Sequence, residues 1–195
     1  MLGIVIANWN GEKLIDKCLE SLENQSFKDF KVYIIDNDSK DNSKEVIRNY
    51  DNKLKIDLTE MNYNSGFAPA NNIGIKKAIK DGCNYILTLN NDVDVPKDSL
   101  ENAMKAIENN KNFDVFQLFM INYFNKDKKN NSEVLYDSNK NNKTYPTLKV
   151  DRFEIWKISN STSNCGSHSF AYICCKRNLS IWRNDDCSCG YGTIL

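Results

Sequence analysis

Two short runs place oxygen-bearing side chains where apolar runs stop. Residues 90–94 read Asn-Asn-Asp-Val-Asp directly after an apolar stretch ending at Leu89, and residues 36–39 read Asp-Asn-Asp-Ser after another. Such groups suit a hard divalent cation: Mg²⁺ and Mn²⁺ take oxygen ligands, and Mg²⁺ commonly uses one or two carboxylates while substrate phosphates complete its shell. Asp92, with Asp94 or Asn90 beside it, can supply that set. The same residue types also form turns and cap helices, and Pro96 and Asp98 fit that plainer role. A third run, NYNSGFAPANNIG at 62–74, offers Gly66 for close backbone approach and Phe67 as a flat face. Its Asn71 and Asn72 are expected in the first turn of a helix, whose N-terminus favours phosphate. The run matches neither GxGxxG nor a P-loop, and a long connection with its own Asn turns accounts for it equally well.

Chemistry at these points requires a scaffold that brings them to one place. The first hundred residues alternate short β-type runs with amphipathic helical patterns, as βαβ units on a parallel sheet do. LGIVIAN (2–8) and KVYIID (31–36) are the first two expected strands. Between them Leu14, Ile15, Cys18, Leu19 and Leu22 form one apolar helical stripe. A second helix is expected from Asn42, where Glu45 completes a capping box. KLKIDLT (53–59) alternates like an edge strand, and Pro69 and Gly82 bracket a third helix. NYILTLN (84–90) is a further strand, KDSLENAMKAIENN (97–110) the helix after it, and FDVFQLFMINYF (113–124) a fifth strand with a bend. In an open parallel sheet ligands bind beyond the carboxyl ends of the strands. There Asn8, Trp9 and Asn10 follow the first strand, Asp36 to Ser39 the second, and Asn90 to Asp94 the fourth.

Composition bounds the rest. The 195 residues suit one domain with one substantial core. Lys plus Arg and Asp plus Glu both number 26, so no net field recruits nucleic acid or an anionic membrane. The start, MLGIVIAN, reads as a strand and not as a signal peptide. No run reaches the roughly 20 apolar residues of a membrane span. Seven Cys, an odd number without a secretion signal, predict reduced thiols and a cytoplasmic chain. Residues 123–145, rich in Asn, Lys and Asp, read as a flexible loop. TLKVDRFEIWKI (147–158) reads as a strand or hairpin, and SFAYICCKRNLSIW (169–182) as a strand running into a helix. His168 with Cys165, Cys187 and Cys189 invites a zinc site, but CGSH and CSC fit no common structural spacing.

Three stretches carry a family resemblance in order and spacing over about the first 105 residues: IVIANWNGEKLIDKCLESLENQSFKDFKVYIIDNDSKDNS, NYNSGFAPANNIGIKKAI and YILTLNNDVDVPKDSL. The sequence resembles the family 2 glycosyltransferases, in particular rhamnosyltransferase-like and other cell-surface polysaccharide enzymes. The resemblance implies the GT-A nucleotide-diphosphosugar transferase fold, α/β with a mostly parallel central sheet flanked by helices. It divides the chain into a nucleotide-sugar-binding half (1–122), the loop (123–145) and a truncated or divergent acceptor-side half (146–195).

By the same resemblance Ala7, Trp9 and Asn10 line the nucleotide pocket, and Asp36 and Asn37 fall where the family reads the base. Asn64, Gly66, Phe67 and Asn71 pack along the nucleotide and sugar. Asn90-Asn91-Asp92 occupies the DxD position: Asn91 joins the nucleotide-sugar-binding set, Asp92 is the metal carboxylate for Mg²⁺ or Mn²⁺ with Asp94 a helper, and Asn90, the third metal residue, departs from the usual first Asp. The implied donor is a UDP-, dTDP- or GDP-sugar and the acceptor a glycan or lipid-linked molecule, with peripheral association at the inner face of the membrane compatible. The implied reaction is an inverting displacement whose base lies downstream, where Asp185 and Asp186 are the only acidic pair. Rival readings are a domain that binds the nucleotide-sugar without transfer and a sugar nucleotidyltransferase, which would need a glycine-rich basic N-terminal loop. A phosphoacceptor receiver would need a Lys at a later strand end.

Overall fold

The computed structural model describes residues 1–111, 115–122, 154–157 and 171–175. Its first half alternates β1 (Leu2–Asn8), α1 (Glu12–Glu23), β2 (Phe30–Asp36), α2 (Ser43–Arg48), β3 (Ile56–Glu60), α3 (Phe67–Lys80) and β4 (Tyr85–Leu89). β5 (Val93–Asp94), α4 (Ser99–Asn109), β6 (Val115–Gln117), β7 (Phe119–Asn122), β8 (Glu154–Lys157) and β9 (Ala171–Cys175) follow. One sheet has the order β3-β2-β1-β4-β9-β6 and a smaller one β5-β8-β7. β1 pairs in parallel with β2 and β4, and β2 with β3, while β9 runs antiparallel between β4 and β6. The mostly parallel sheet expected from the sequence is therefore present, and the strand within 169–182 lies one in from its edge, between β4 and the edge strand β6.

The middles of β1 (Ile4–Ile6) and β2 (Val32–Ile35) form continuous apolar runs because helices cover both faces of a parallel sheet. Ile4, Ile6 and Ile34 on one face pack with Ile15, Cys18, Leu19 and Leu22 of α1. Val5 and Tyr33 on the other face pack with Ile75 and Ala78 of α3. α3 approaches so closely that a Cβ on Gly74 would lie 2.4 Å from a methyl carbon of Val5. Its far end closes as the sequence suggests: Gly82 takes φ +84°, and the amides of Cys83 and Gly82 bond to the carbonyls of Ala78 and Ile79 at 3.0 and 3.1 Å.

Four expectations are corrected. The stretch 113–124 is not one bent strand: β6 and β7 belong to different sheets, divided at Leu118, which is buried in the core. The run after Leu89 is not only a turn, since Val93–Asp94 forms β5 and pairs with β8. Asn71 and Asn72 lie beyond the first turn of α3, which starts at Phe67 and takes Pro69 as its third residue. The capping box at Asn42 does not form, because the Asn42 side chain makes no cap bond. The Asp41 carboxylate serves instead, accepting from the first amide of α1 (Glu12, 3.0 Å) and the first of α2 (Ser43, 3.1 Å).

Burial works to raise the Asp41 carboxyl, but the Ser43 hydroxyl and the Glu12 and Ser43 amides outweigh it and hold the group below the usual carboxylate range. Asp41→Ala is expected to cost about 1–2 kcal/mol at neutral pH, as for a lost cap. A folded pKa below the unfolded value contributes stability above the unfolded value, about 4, and that stability is lost as pH falls through the folded one. Urea unfolding at a series of pH values should show the wild type and variant converging toward acid. A gap that stays constant contradicts capping by the ionised carboxylate.

Candidate functional site

The strand ends stand level because of register: Asn8 pairs with Asp36, and Asp36 with Glu60. Asn8 closes an apolar strand, is 1 % exposed, and sends its carboxamide sideways. Its Nδ2 donates to Asp36 Oδ2 at 3.0 Å and to Ser39 Oγ at 3.3 Å, and its Oδ1 accepts from Asn91 Nδ2 at 2.8 Å. One side chain thereby joins the ends of β1, β2 and β4. Gly11 makes room for it: a Cβ there would fall 2.3 Å from Asn8 Oδ1 and 2.4 Å from Asn91 Nδ2.

The turns above the edge are sharp. Asn10 (φ 48°) and Asp38 (φ 65°) adopt the left-handed conformation that Asn and Asp tolerate best. Ser39 Oγ accepts from the Asn10 amide at 2.9 Å, and Asn10 Oδ1 from the Lys40 amide at 2.8 Å, so the loops after β1 and β2 brace each other. Asn37 grips the third loop: its Oδ1 accepts from the Ser65 amide (3.1 Å) and hydroxyl (2.9 Å), and its Nδ2 donates to the Gly66 carbonyl (3.0 Å). Asn64 Oδ1 accepts from the Gly66 amide at 2.9 Å, and Met61 N donates to the Asp36 carbonyl at 2.8 Å.

The expected site residues differ sharply in exposure. Asp36 is fully buried and Asn37 is 3 % exposed, with the Asp36 oxygens accepting from Asn8 and the Ser39 amide. Both side chains bond to neighbouring turns and so hold the rim together. Asn71 is likewise buried, and its amide donates to the Phe67 carbonyl at 2.9 Å, one turn back in α3. The accessible groups at the edge are Trp9, Asn10, Tyr63, Asn64 and Phe67. Trp9, Tyr63 and Phe67 are the exposed large hydrophobics among the described residues. Ala7 and Gly66 are half-buried beside them. Sequence reasoning placed Asn8, Gly11 and Ser39 at the strand ends without giving them a role, and did not single out Tyr63. The available signal for Asn8 was a polar residue closing an otherwise apolar strand directly before a glycine-containing turn.

Asn90, Asn91 and Asp92 follow β4, with Asn91 tied to Asn8 and Asp92 buried. Asn90 Oδ1 is a buried acceptor without a hydrogen-bond partner among the described residues, a costly condition that a cation would relieve. An amide oxygen and a carboxylate two residues apart are hard donors, so the set fits Mg²⁺ or Mn²⁺. Among the described residues no group of three His, Cys, Asp or Glu could hold a metal, so phosphate and water would have to complete the shell. Asp94 faces α1: burial raises its carboxyl, Lys17 opposes the rise and Glu20 adds to it. Cys18 of α1 donates to the Asn90 carbonyl at 3.7 Å, and burial, then Asp92, push its thiol up to about 12. Asp185, Asp186, His168 and the cysteines beside it lie outside the described residues.

Removing the Asn8 carboxamide leaves the buried Asp36 and the half-buried Asn91 each short of a partner. Asn8→Ala should lower stability by about 2–4 kcal/mol, on the scale of buried groups left unsatisfied. Gly11→Ala should also destabilise, by steric overlap at the same point. Urea unfolding measures both, and an Asn8→Ala protein within about 0.5 kcal/mol of wild type, the range of ordinary surface changes, contradicts the bridging role.

Teichoic acid poly(glycerol phosphate) polymerase of Staphylococcus epidermidis is 40% identical over 81 residues, 39% of this chain and 11% of that protein. Poly(ribitol-phosphate) beta-N-acetylglucosaminyltransferase TarS of Staphylococcus aureus is 28% identical over 108 residues, 54% of this chain and 18% of that protein. The crystal structure of TarS residues 1–349 in complex with UDP-GlcNAc superposes with a TM-score of 0.58 at 27% identity, covering 62% of this chain and 34% of that one. The mannosyltransferase PcManGT of Pyrobaculum calidifontis, in complex with GDP-Man and Mn²⁺, shares the fold at a TM-score of 0.54, 20% identity and coverage of 62% and 35%. The chain thus spans under a fifth of the first two relatives and about a third of these solved chains, and its fold is that of the GT-A glycosyltransferases. The family model described as Glycosyl transferase family 2 matches residues 3–174, across the sheet and every strand end described above, and the chain belongs to that family.

Proposed function

We propose that the chain binds a nucleotide-diphosphosugar along the carboxyl edge of its sheet and transfers the sugar, with inversion, to a glycan or lipid-linked acceptor. The observation that carries this reading is the Asn8 bridge, which holds the Asn90–Asp92 run against the turns of β1 and β2 where a ligand of this fold class sits. TarS with UDP-GlcNAc and PcManGT with GDP-Man and Mn²⁺ lend support as family and fold relatives. The base lies between Trp9 and Tyr63, whose loops follow β1 and β3 on either side of β2. Ala7, Asn10, Asn64, Gly66 and Phe67 line the way toward the diphosphate, while Asp36, Asn37 and Asn71 keep these groups in place.

Asp92 and Asn90, with Asp94 close by, would hold Mg²⁺ or Mn²⁺, which when bound would supply neutralisation of charge on the departing diphosphate. The acceptor oxygen bonds to the anomeric carbon as the carbon–diphosphate bond breaks, and the acceptor's proton passes to a carboxylate. Asp185 and Asp186 are the sequence's candidates for that base. The acceptor-side half is 146–195, joined by 123–145 to the nucleotide-sugar-binding half. No helix among the described residues is long and apolar enough to cross a membrane. We place the chain in the cytoplasm, peripherally at the inner face where lipid-linked acceptors are reached.

Calorimetric titration with UDP, dTDP and GDP, with and without Mn²⁺, followed by donor hydrolysis, tests the reading. One nucleotide should bind at least about 10-fold more tightly with Mn²⁺, worth about 1.4 kcal/mol. Asp92→Ala should abolish that gain. Tyr63→Ala should weaken nucleotide binding by about 1–3 kcal/mol, the scale of a stacked base, with or without metal. No binding of any nucleotide contradicts the function, an Asp92→Ala protein that keeps the Mn²⁺ gain contradicts the metal assignment, and binding without turnover favours the binding-only domain.

A further inference from the structure

We infer that Ser21 of α1 and Gln25, two residues past the end of that helix, are positioning residues for the metal carboxylates, and that their polar side chains serve to hold residues 90–100 in register with the nucleotide turns. The inference deepens the proposed function and rests on the reading that Asp92 holds a cation.

α1 is not polar by accident on this face. Cys18 and Ser21 lie at i and i+3 on one face of α1, and Gln25 stands two residues beyond its last residue, Glu23. Ser21 is 8 % exposed and Gln25 1 %, which no solvated role explains. All three reach the same segment of chain. Cys18 meets the Asn90 carbonyl, at the start of the run carrying Asp92 and Asp94. Ser21 Oγ accepts from the Val95 amide at 3.0 Å while donating to the Cys18 carbonyl at 2.7 Å. Gln25 Nε2 donates to the carbonyls of Val95 (2.7 Å), Pro96 (3.0 Å) and Ser21 (3.0 Å). Its Oε1 accepts from the Leu100 amide at 3.2 Å, one of the first amides of α4 that its own helix cannot satisfy. Ser26 N extends the grip to the Lys97 carbonyl at 2.9 Å.

Asp92 and Asp94 therefore stand on a short arc fixed at both ends. Upstream it is held through Cys18 and the Asn91–Asn8 bond, in the middle by Val93, which is fully buried, and downstream by Ser21 and Gln25. Two-residue β5 supplies little ladder of its own, so side chains do the fixing. A carboxylate that holds a cation loses affinity when its support loosens, and partners one step removed from a metal commonly account for about 10–100-fold in affinity. At Ser21 and Gln25 a merely core-filling role would be met most simply by apolar residues, as the neighbouring Ile15, Cys18, Leu19 and Leu22 show.

Gln25→Glu keeps the shape and an acceptor for Leu100 but removes both donors to Val95 and Pro96. It should reduce the Mn²⁺-dependent gain in nucleotide affinity by about 10-fold while metal-free affinity stays within about 2-fold, less than 0.5 kcal/mol. Amide hydrogen exchange of the metal-free protein at 93–97 should quicken. Ser21→Ala, a milder change, should shift the same two readouts in the same direction and serves if Gln25→Glu does not fold. A folded variant with the Mn²⁺ gain and exchange unchanged, or with affinity lost equally with and without Mn²⁺, overturns the inference. A wild-type chain that binds nucleotide with no Mn²⁺ gain overturns the reading beneath it.

Discussion

The Asn8 carboxamide is the point on which the site depends. Three strand ends carry their own turns, each free in principle to settle differently, and a parallel sheet fixes only the backbone beneath them. A buried amide that donates to β2's carboxylate and hydroxyl while accepting from the loop after β4 couples all three. Such a network has to be complete, because an unsatisfied polar group in this dry position costs more than a satisfied one contributes. The absence of a side chain at Gly11 is part of the same constraint, since any Cβ would occupy the space of the bond.

The surroundings follow from that coupling. Apolar faces of β1 and β2 are sealed by α1 and α3, which leaves the carboxyl edge as the region where polar side chains cluster. Within it there is a division of labour. Asp36, Asn37 and Asn71 are buried and committed to neighbouring backbone, whereas Trp9, Tyr63 and Phe67 stand outward. The polar residues build the rim and the aromatic ones offer contact, close to the reverse of what residue type alone suggests. Asn90 is the exception, with a buried amide oxygen aimed at no protein donor among the described residues.

Much of the scaffold was legible because the βαβ rhythm is written in period and punctuation: the stripe of α1, the glycine after α3 and the apolar runs of β1, β2 and β4 all fall where the pattern puts them. The convergence of three strand ends followed from topology alone. What escaped was of two physical kinds. Short pairings are set by tertiary contacts, so β5 looked like a turn and the stretch 113–124 looked like one strand although Leu118 divides it between two sheets. The direction of a side chain is also invisible to spacing: nothing in the string tells that Asp36 faces inward to Asn8, or that Asp41 rather than Asn42 caps α2. The zinc spacing around His168 and the acidic pair at 185 and 186 fall outside the described residues.

The central claim is that donor and cation meet at this one edge. Paramagnetic broadening of backbone amide signals by Mn²⁺, recorded with and without bound nucleotide, tests it most directly. The account predicts that broadening centres on residues 90–94, and that nucleotide perturbs 7–11 and 61–67 at the same time. Broadening centred elsewhere, or nucleotide perturbing a different face of the sheet, would contradict it.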